Sequence, residues 1–235
     1  MLDNHFWPMM GATSSEFGKS LPQQIADYIA TEILQGRFRP GERLKEEDLA
    51  AKFQTSRAPV REALYLLQID GLVERQPRRG TVVKAYTEKE IRELYEVRQG
   101  LEQIAVERLR HAWSRRAAER FHAVLADMEQ ALADSDAEAY SESNEAFHEL
   151  IFDLAGNEVL LRLYRQLQNL LRLLLRLSTQ EAAQMRASYD EHRAIVAALE
   201  RGDFEEAKRV LAQNVDHGLH RALGTRAEVP PSSRK

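Results

Sequence analysis

The sequence predicts a mainly α-helical protein in two parts, and three observations carry that expectation. Residues 20–69 hold three short amphipathic stretches separated by turn residues, followed by two β-type runs around Pro77–Gly80. From Thr87 to residue 222 apolar side chains recur at helical spacing, with breaks at 111–114, 133–136, 156–157 and 202–203. Charge divides along the same line. Residues 19–84 hold 12 Lys/Arg against 9 Asp/Glu, a balance of +3, and the rest of the chain balances to −7.

The elements follow in order. Residues 1–18 lack a period and read as a flexible arm. A helix over 20–35 places Ile25, Ile29 and Ile33 on one stripe, and Gly36 and Pro40-Gly41 make 36–44 a loop. A short helix over 46–53 turns Leu49, Ala50 and Phe53 inward. After the break at Gln54–Ser56 a third helix spans 57–69, with Val60, Ala63, Leu64 and Leu67 at i, i+3, i+4, i+7. LVERQ and TVVKA then read as strands joined by a tight turn, where Gly80 can take positive φ. Helix, short helix, break, helix and ribbon together describe a winged helix-turn-helix over 19–85. Helices near 87–111, 114–133, 136–155, 157–179, 181–201 and 203–222 make residues 86–222 an all-α antiparallel bundle, and 223–235 a disordered Pro/Ser-rich tail.

Composition narrows the function classes. The chain has 235 residues and no cysteine, so disulfides and thiolate metal sites are excluded. No apolar run approaches the ~20 residues of a membrane helix, and no secretion signal is evident, which points to the cytoplasm. A phosphate-binding Gly loop, a Ser–His–Asp set and a paired Glu-x-x-His di-metal signature are all missing, and Glu145-x-x-His148 occurs once; no enzyme is expected.

The stretch SRAPVREAL (56–64) carries the first functional signal. Arg57 and Arg61, four apart, share a face on the first turns of their helix, and Pro59 sits where its missing N–H is harmless. A helix N-terminus with two arginines suits the DNA major groove, where Arg reads guanine or grips phosphate. An isolated arginine pair is ordinarily a solvated face. Joined to the break and to Arg78, Arg79 and Gly80 at the ribbon tip, it favours double-stranded operator DNA as partner. LPQQIADYIATEILQGRFRPGERLKEEDLA and TSRAPVREALYLLQIDGLVERQPRRGTVV resemble the DNA-binding domain of the GntR family of bacterial transcription regulators. That resemblance implies that Arg57 and Arg61 contact the operator, with Ser56 on phosphate and Gly80 at the wing. Some relatives carry a DNA-contacting Arg in the second helix, where this chain has Glu47.

Polar residues on the inward stripes of the bundle carry the second signal. They are Arg98, Asn144, His148, His192 and Asn214, with His217 a turn beyond the last. A lone buried His is ordinarily a satisfied core residue, but several helices offering polar groups to one interior describe a pocket. VRQGLE (97–102), NEAFHELIFDLAGN (144–157) and EHRAIVAALERGDFEEAKRVL (191–211) resemble the FadR-type effector domain, or FCD domain. Many such domains hold a divalent metal on one Asp and three His, and the matching positions here are Asn144, His148, His192 and Asn214. Two imidazoles and two neutral amides are a weak set for Zn or Ni. The reading therefore favours a small organic molecule over a metal on His148 and His192, and the resemblance, which sets the position of Arg98 beside the pocket, implies a small organic or sugar acid paired by that guanidinium. The resemblance implies a homodimeric, nucleoid-associated regulator, with repression as the commoner mode. An activator, a ligand-free DNA-binding protein and a metal-dependent bundle enzyme stand as alternatives.

Overall fold

The computed structural model describes residues 18–178 and 182–227, so residues 1–17 of the expected arm over 1–18 and residues 228–235 of the expected tail over 223–235 lie outside the described residues. Two compact units divide between Ala85 and Tyr86.

The first unit runs α1 (Leu21–Leu34), α2 (Glu46–Lys52), α3 (Arg57–Ile69), β1 (Val73–Gln76) and β2 (Gly80–Val83). Ser20 and Gln23 form a capping box at α1, and the leading Pro at the second position costs no hydrogen bond. The stripes read from periodicity are the core: Ile25, Ile29, Ile33, Leu49, Val60, Ala63, Leu64 and Leu67 are all buried. Gln54 at φ 51 makes the break between α2 and α3. The ribbon is antiparallel, with Val73 opposite Val83 and Gln76 opposite Gly80. The loop after α1 adds to it: Arg43 bridges Val82, and Leu44 N–H donates to the Thr81 carbonyl.

The second unit is a bundle of α4 (Glu88–Ala112), α5 (Arg115–Ala133), α6 (Ala137–Leu154), α7 (Glu158–Ser178), α8 (Ala182–Glu200) and α9 (Phe204–Ala227). Thr87 and Glu90 make a capping box at α4, and Ser114 and Asp136 cap α5 and α6 through their side-chain oxygens. α4 packs on α6, α7 and α9, and α8 on α9 and α5. Those pairings aim the polar residues of α4, α6 and α8 at one another. The last helix corrects the expected end of the bundle at residue 222, because it continues through Ala227. Leu219 and Leu223 extend its apolar stripe onto the core, and Gly224 is accommodated without a break.

Candidate functional sites

The DNA-facing surface is built by α2, α3 and the wing. Ser56 is the N-cap residue of α3, yet its hydroxyl makes no capping bond and stays exposed. Arg57 and Arg61 project from the first turns, with side chains 60% and 68% exposed. Both already have carboxylate partners. Arg57 Nη2 lies 2.9 Å from Glu47 Oε1. Arg61 donates from Nε and Nη2 to both oxygens of Glu46, at 2.8 Å for the shortest bond. Those bonds, chiefly, hold the Glu46 carboxyl below the usual carboxylate range. At the wing tip Gly80 takes φ 80, as its position in the turn requires, and Arg78 takes φ 64. Arg78 and Arg79 are exposed, and Arg79 is steadied by a 3.1 Å bond to Gln76 Oε1. A shallow concavity between α3 and the ribbon is lined by Glu46, Ala58, Arg61, Tyr65, Arg75 and Thr81.

The second site is the polar centre of the bundle. Arg98, Asn144, His148, His192 and Asn214 are all buried, at 4% exposure or less. Arg98, His148 and His192 join one chain through a residue that periodicity did not single out, Glu102. Arg98 Nε donates to Glu102 Oε1 at 2.8 Å. His148 Nδ1 lies 3.0 Å from the same oxygen, within ion-pair range but off the hydrogen-bond axis. His148 Nε2 is 3.3 Å from His192 Nε2, and His192 Nδ1 is 2.6 Å from the Ser188 carbonyl oxygen. Burial alone would raise the Glu102 carboxyl. Arg98 and then His148 outweigh it, leaving the acid ionised at about 2. Burial pushes both imidazoles down, His192 to about 3, so both rings are neutral at pH 7. Phe147 stands edge-on to His192 at 4.4 Å between ring centroids.

The tautomers follow from this geometry. The Ser188 carbonyl only accepts, so His192 carries its proton on Nδ1. At His148 the ionised Glu102 oxygen, 3.0 Å from Nδ1, favours the proton on that side as well. In those tautomers two Nε2 lone pairs face each other across 3.3 Å, an arrangement that favours a donor or a cation. The two Nε2 atoms would offer a divalent ion two nitrogen ligands, but a closed site needs about four and the others are not assembled here. Asn214 donates instead to Glu191 at 2.7 Å, and His217 is exposed and held 2.5 Å from Glu191. Among the described residues no group of three His, Cys, Asp or Glu is assembled to hold an ion.

The buried imidazoles make stability pH-dependent. Their folded values lie below the unfolded 6.5, so the unfolded chain binds more protons between 6.5 and about 3, and stability falls with acid across that window. For dialysed protein free of added metal, lowering pH from 7.5 to 5 should cost about 2 kcal/mol through His192 alone. Thermal melts of wild type and His192→Gln check this: the wild-type melting temperature falls with acid and the variant's falls less. Equal slopes would mean that His192 is not buried as a neutral ring.

An exposed recognition helix with a basic wing, joined in one chain to a bundle with a buried polar centre, defines a ligand-responsive DNA-binding regulator. Comparison with known proteins supplies the family. Residues 21–83 match the model of the bacterial regulatory proteins, gntR family, and residues 93–217 match the FCD domain. The chain is 32% identical over 207 residues to the "Probable D-xylose utilization operon transcriptional repressor" of Paenarthrobacter nicotinovorans, covering 88% of this chain and 91% of that one. It is 30% identical over 200 residues to the gluconate operon transcriptional repressor of Bacillus licheniformis, covering 82% and 81%. A GntR regulator structure from Rhodococcus sp. RHA1 superposes with a TM-score of 0.73 at 27% identity, over 88% of this chain and 99% of that one. The chain belongs to the GntR family of transcription regulators, with a C-terminal FCD effector domain. Among the described residues no helix is long and apolar enough to cross a membrane.

Proposed function

We propose that the protein is a homodimeric cytoplasmic repressor, without enzymatic activity, that releases its operator when a small polyhydroxy or sugar acid enters the polar centre of the bundle. The observation that carries this reading is the pair of Nε2 atoms of His148 and His192, facing each other across 3.3 Å in the buried centre, with Nδ1 of His192 on the Ser188 carbonyl and Nδ1 of His148 beside the Glu102 carboxylate. A ligand hydroxyl donates to such a pair where a second acceptor would be repelled. Arg98 lies at the other end of the same chain, paired through Nε, and its remaining N–H groups suit a carboxylate that shares it with Glu102. The name of one relative fits that chemistry, since gluconate, of the gluconate operon repressor, is a polyhydroxy carboxylate. Val97 and Ile104, a heptad apart on α4 and each 51% exposed, give a second copy an apolar face. Ser56, Arg57, Arg61, Arg78, Arg79 and Gly80 bind operator DNA, with the two arginines of α3 in the major groove. Ligand binding to one of two states then shifts operator affinity.

A thermal-shift screen of aldonic acids, plain carboxylates and neutral sugars tests the reading, run with and without added Zn or Ni. The expected result is a rise of several degrees for one hydroxy acid, independent of metal. The same acid should weaken DNA binding of the dimer at least tenfold. A flat screen across all three classes would overturn the effector assignment. A rise that appears only with metal would show that the two imidazoles, Asn144 and Asn214 serve as ligands after all.

A further inference from the structure

The two acidic residues at the start of α2 differ in how they hold the arginines of α3. Glu46 spends both oxygens on Arg61 and is two-thirds covered. Glu47 touches Arg57 through one oxygen and is 66% exposed. Its side chain stands exposed beside Arg57, the first residue of the helix read here as the groove helix. Whatever base edge Arg57 meets, Glu47 arrives with it. A carboxylate at that place is repelled by phosphate, so it needs a donor to rest on.

We infer that Glu47 is a specificity-determining residue, which accepts a hydrogen bond from a cytosine N4 amino group next to the guanine read by Arg57. The chemistry selects the base. An ionised carboxylate only accepts. In the major groove cytosine presents a donor, N4–H₂. Guanine presents acceptors at N7 and O6, and adenine sets an N7 acceptor beside its N6 donor, so both oppose the carboxylate. Glu47 has a second effect through the same ion pair. It cancels the charge of Arg57 in the free protein, as Glu46 cancels that of Arg61, so α3 grips non-specific phosphate weakly and charge-driven binding rests on the wing.

This inference rests on the reading of α3 as the helix that enters the groove, and the experiment separates the two. Full-length wild type, Glu47→Gln, Glu47→Ala and Arg57→Ala are each used to select binding sites from random double-stranded DNA, and the affinity for the selected sites is followed against salt. Wild type should select a guanine that Arg57→Ala loses, with a cytosine beside it. Glu47→Gln should exchange that cytosine for adenine by about tenfold, because an amide matches the N6/N7 pair of adenine. Glu47→Ala should leave the position open and make the salt dependence steeper by about one phosphate per protomer. Unchanged base preference in both Glu47 variants, with the guanine still lost in Arg57→Ala, would overturn the role of Glu47 alone. Arg57→Ala selecting the full wild-type motif would overturn the groove reading, and the inference with it. Both Glu47 variants should melt as wild type does, since the residue is exposed and paired only at the surface.

Discussion

Replacing Arg57 and Arg61 together by Ala should abolish specific operator binding while leaving the fold intact. Both side chains sit on the exposed first turns of α3, where a groove helix meets base edges. A bidentate Arg–guanine contact is worth about 1–3 kcal/mol of discrimination, and a dimer presents each arginine twice. Loss of all four contacts should lower operator affinity by at least about 100-fold, down to the non-specific level. The variant is penalised a second time. Glu46 and Glu47 lose their partners and then face the phosphates as bare charges. Stability should hardly move, because each deleted ion pair is a surface pair worth about 0–1 kcal/mol, and the buried stripe of α3 is untouched. Titration of a selected operator, with a thermal melt of the same sample, checks both halves. Wild-type affinity in a folded double variant would sink the assignment of α3 as the recognition helix.

The periodic features of the fold were legible in the sequence because burial writes them there. Ile25, Ile29 and Ile33 on α1, and Val60, Ala63, Leu64 and Leu67 on α3, were readable as inward stripes and are buried. The tight turn of the wing was announced by Pro77 and Gly80. Features that depend on approach between elements were not legible. Arg98 and Glu102 stand four apart on α4, a spacing that in sequence reads as an exposed helical ion pair. Only the packing of α6, α7 and α9 against α4 turns that pair into a buried one. The clasp of Glu46 and Glu47 on Arg61 and Arg57 needs α2 to lie across the start of α3, and no local pattern encodes that distance. The bridge of Arg43 to Val82 is hidden for the same reason, since its loop reads as turn residues alone. The convergence of His148 and His192 was expected from inward stripes on separate helices. Their tautomers required the Ser188 carbonyl and Glu102, which no spacing singles out.

The largest stability effect should come from Glu102→Ala. Arg98 and Glu102 have side-chain exposures of 2% and 0%, so the guanidinium has no water to fall back on when the carboxylate is removed. Breaking such a pair from one side costs about 3–5 kcal/mol, because an uncompensated charge stays in the core. Burial does not neutralise it either, because an arginine side chain keeps its proton throughout the accessible pH range. At about 2–4 °C per kcal/mol for a chain of this size, the bundle should melt roughly 10–15 °C lower. The double variant Arg98→Met with Glu102→Leu separates charge from shape. It removes both ions and fills their space with apolar atoms, so its melting temperature should recover to near that of wild type. It should still bind operator through the untouched winged unit, and on the proposed effector reading it should no longer respond to an acid, having lost the guanidinium assigned to the carboxylate. Full recovery of stability with loss of response would place the ion pair in the protein for ligand recognition rather than for folding. A Glu102→Ala protein that melts at the wild-type temperature would mean that the charge of Arg98 is met by other groups, and that Glu102 is not the link between Arg98 and the two imidazoles.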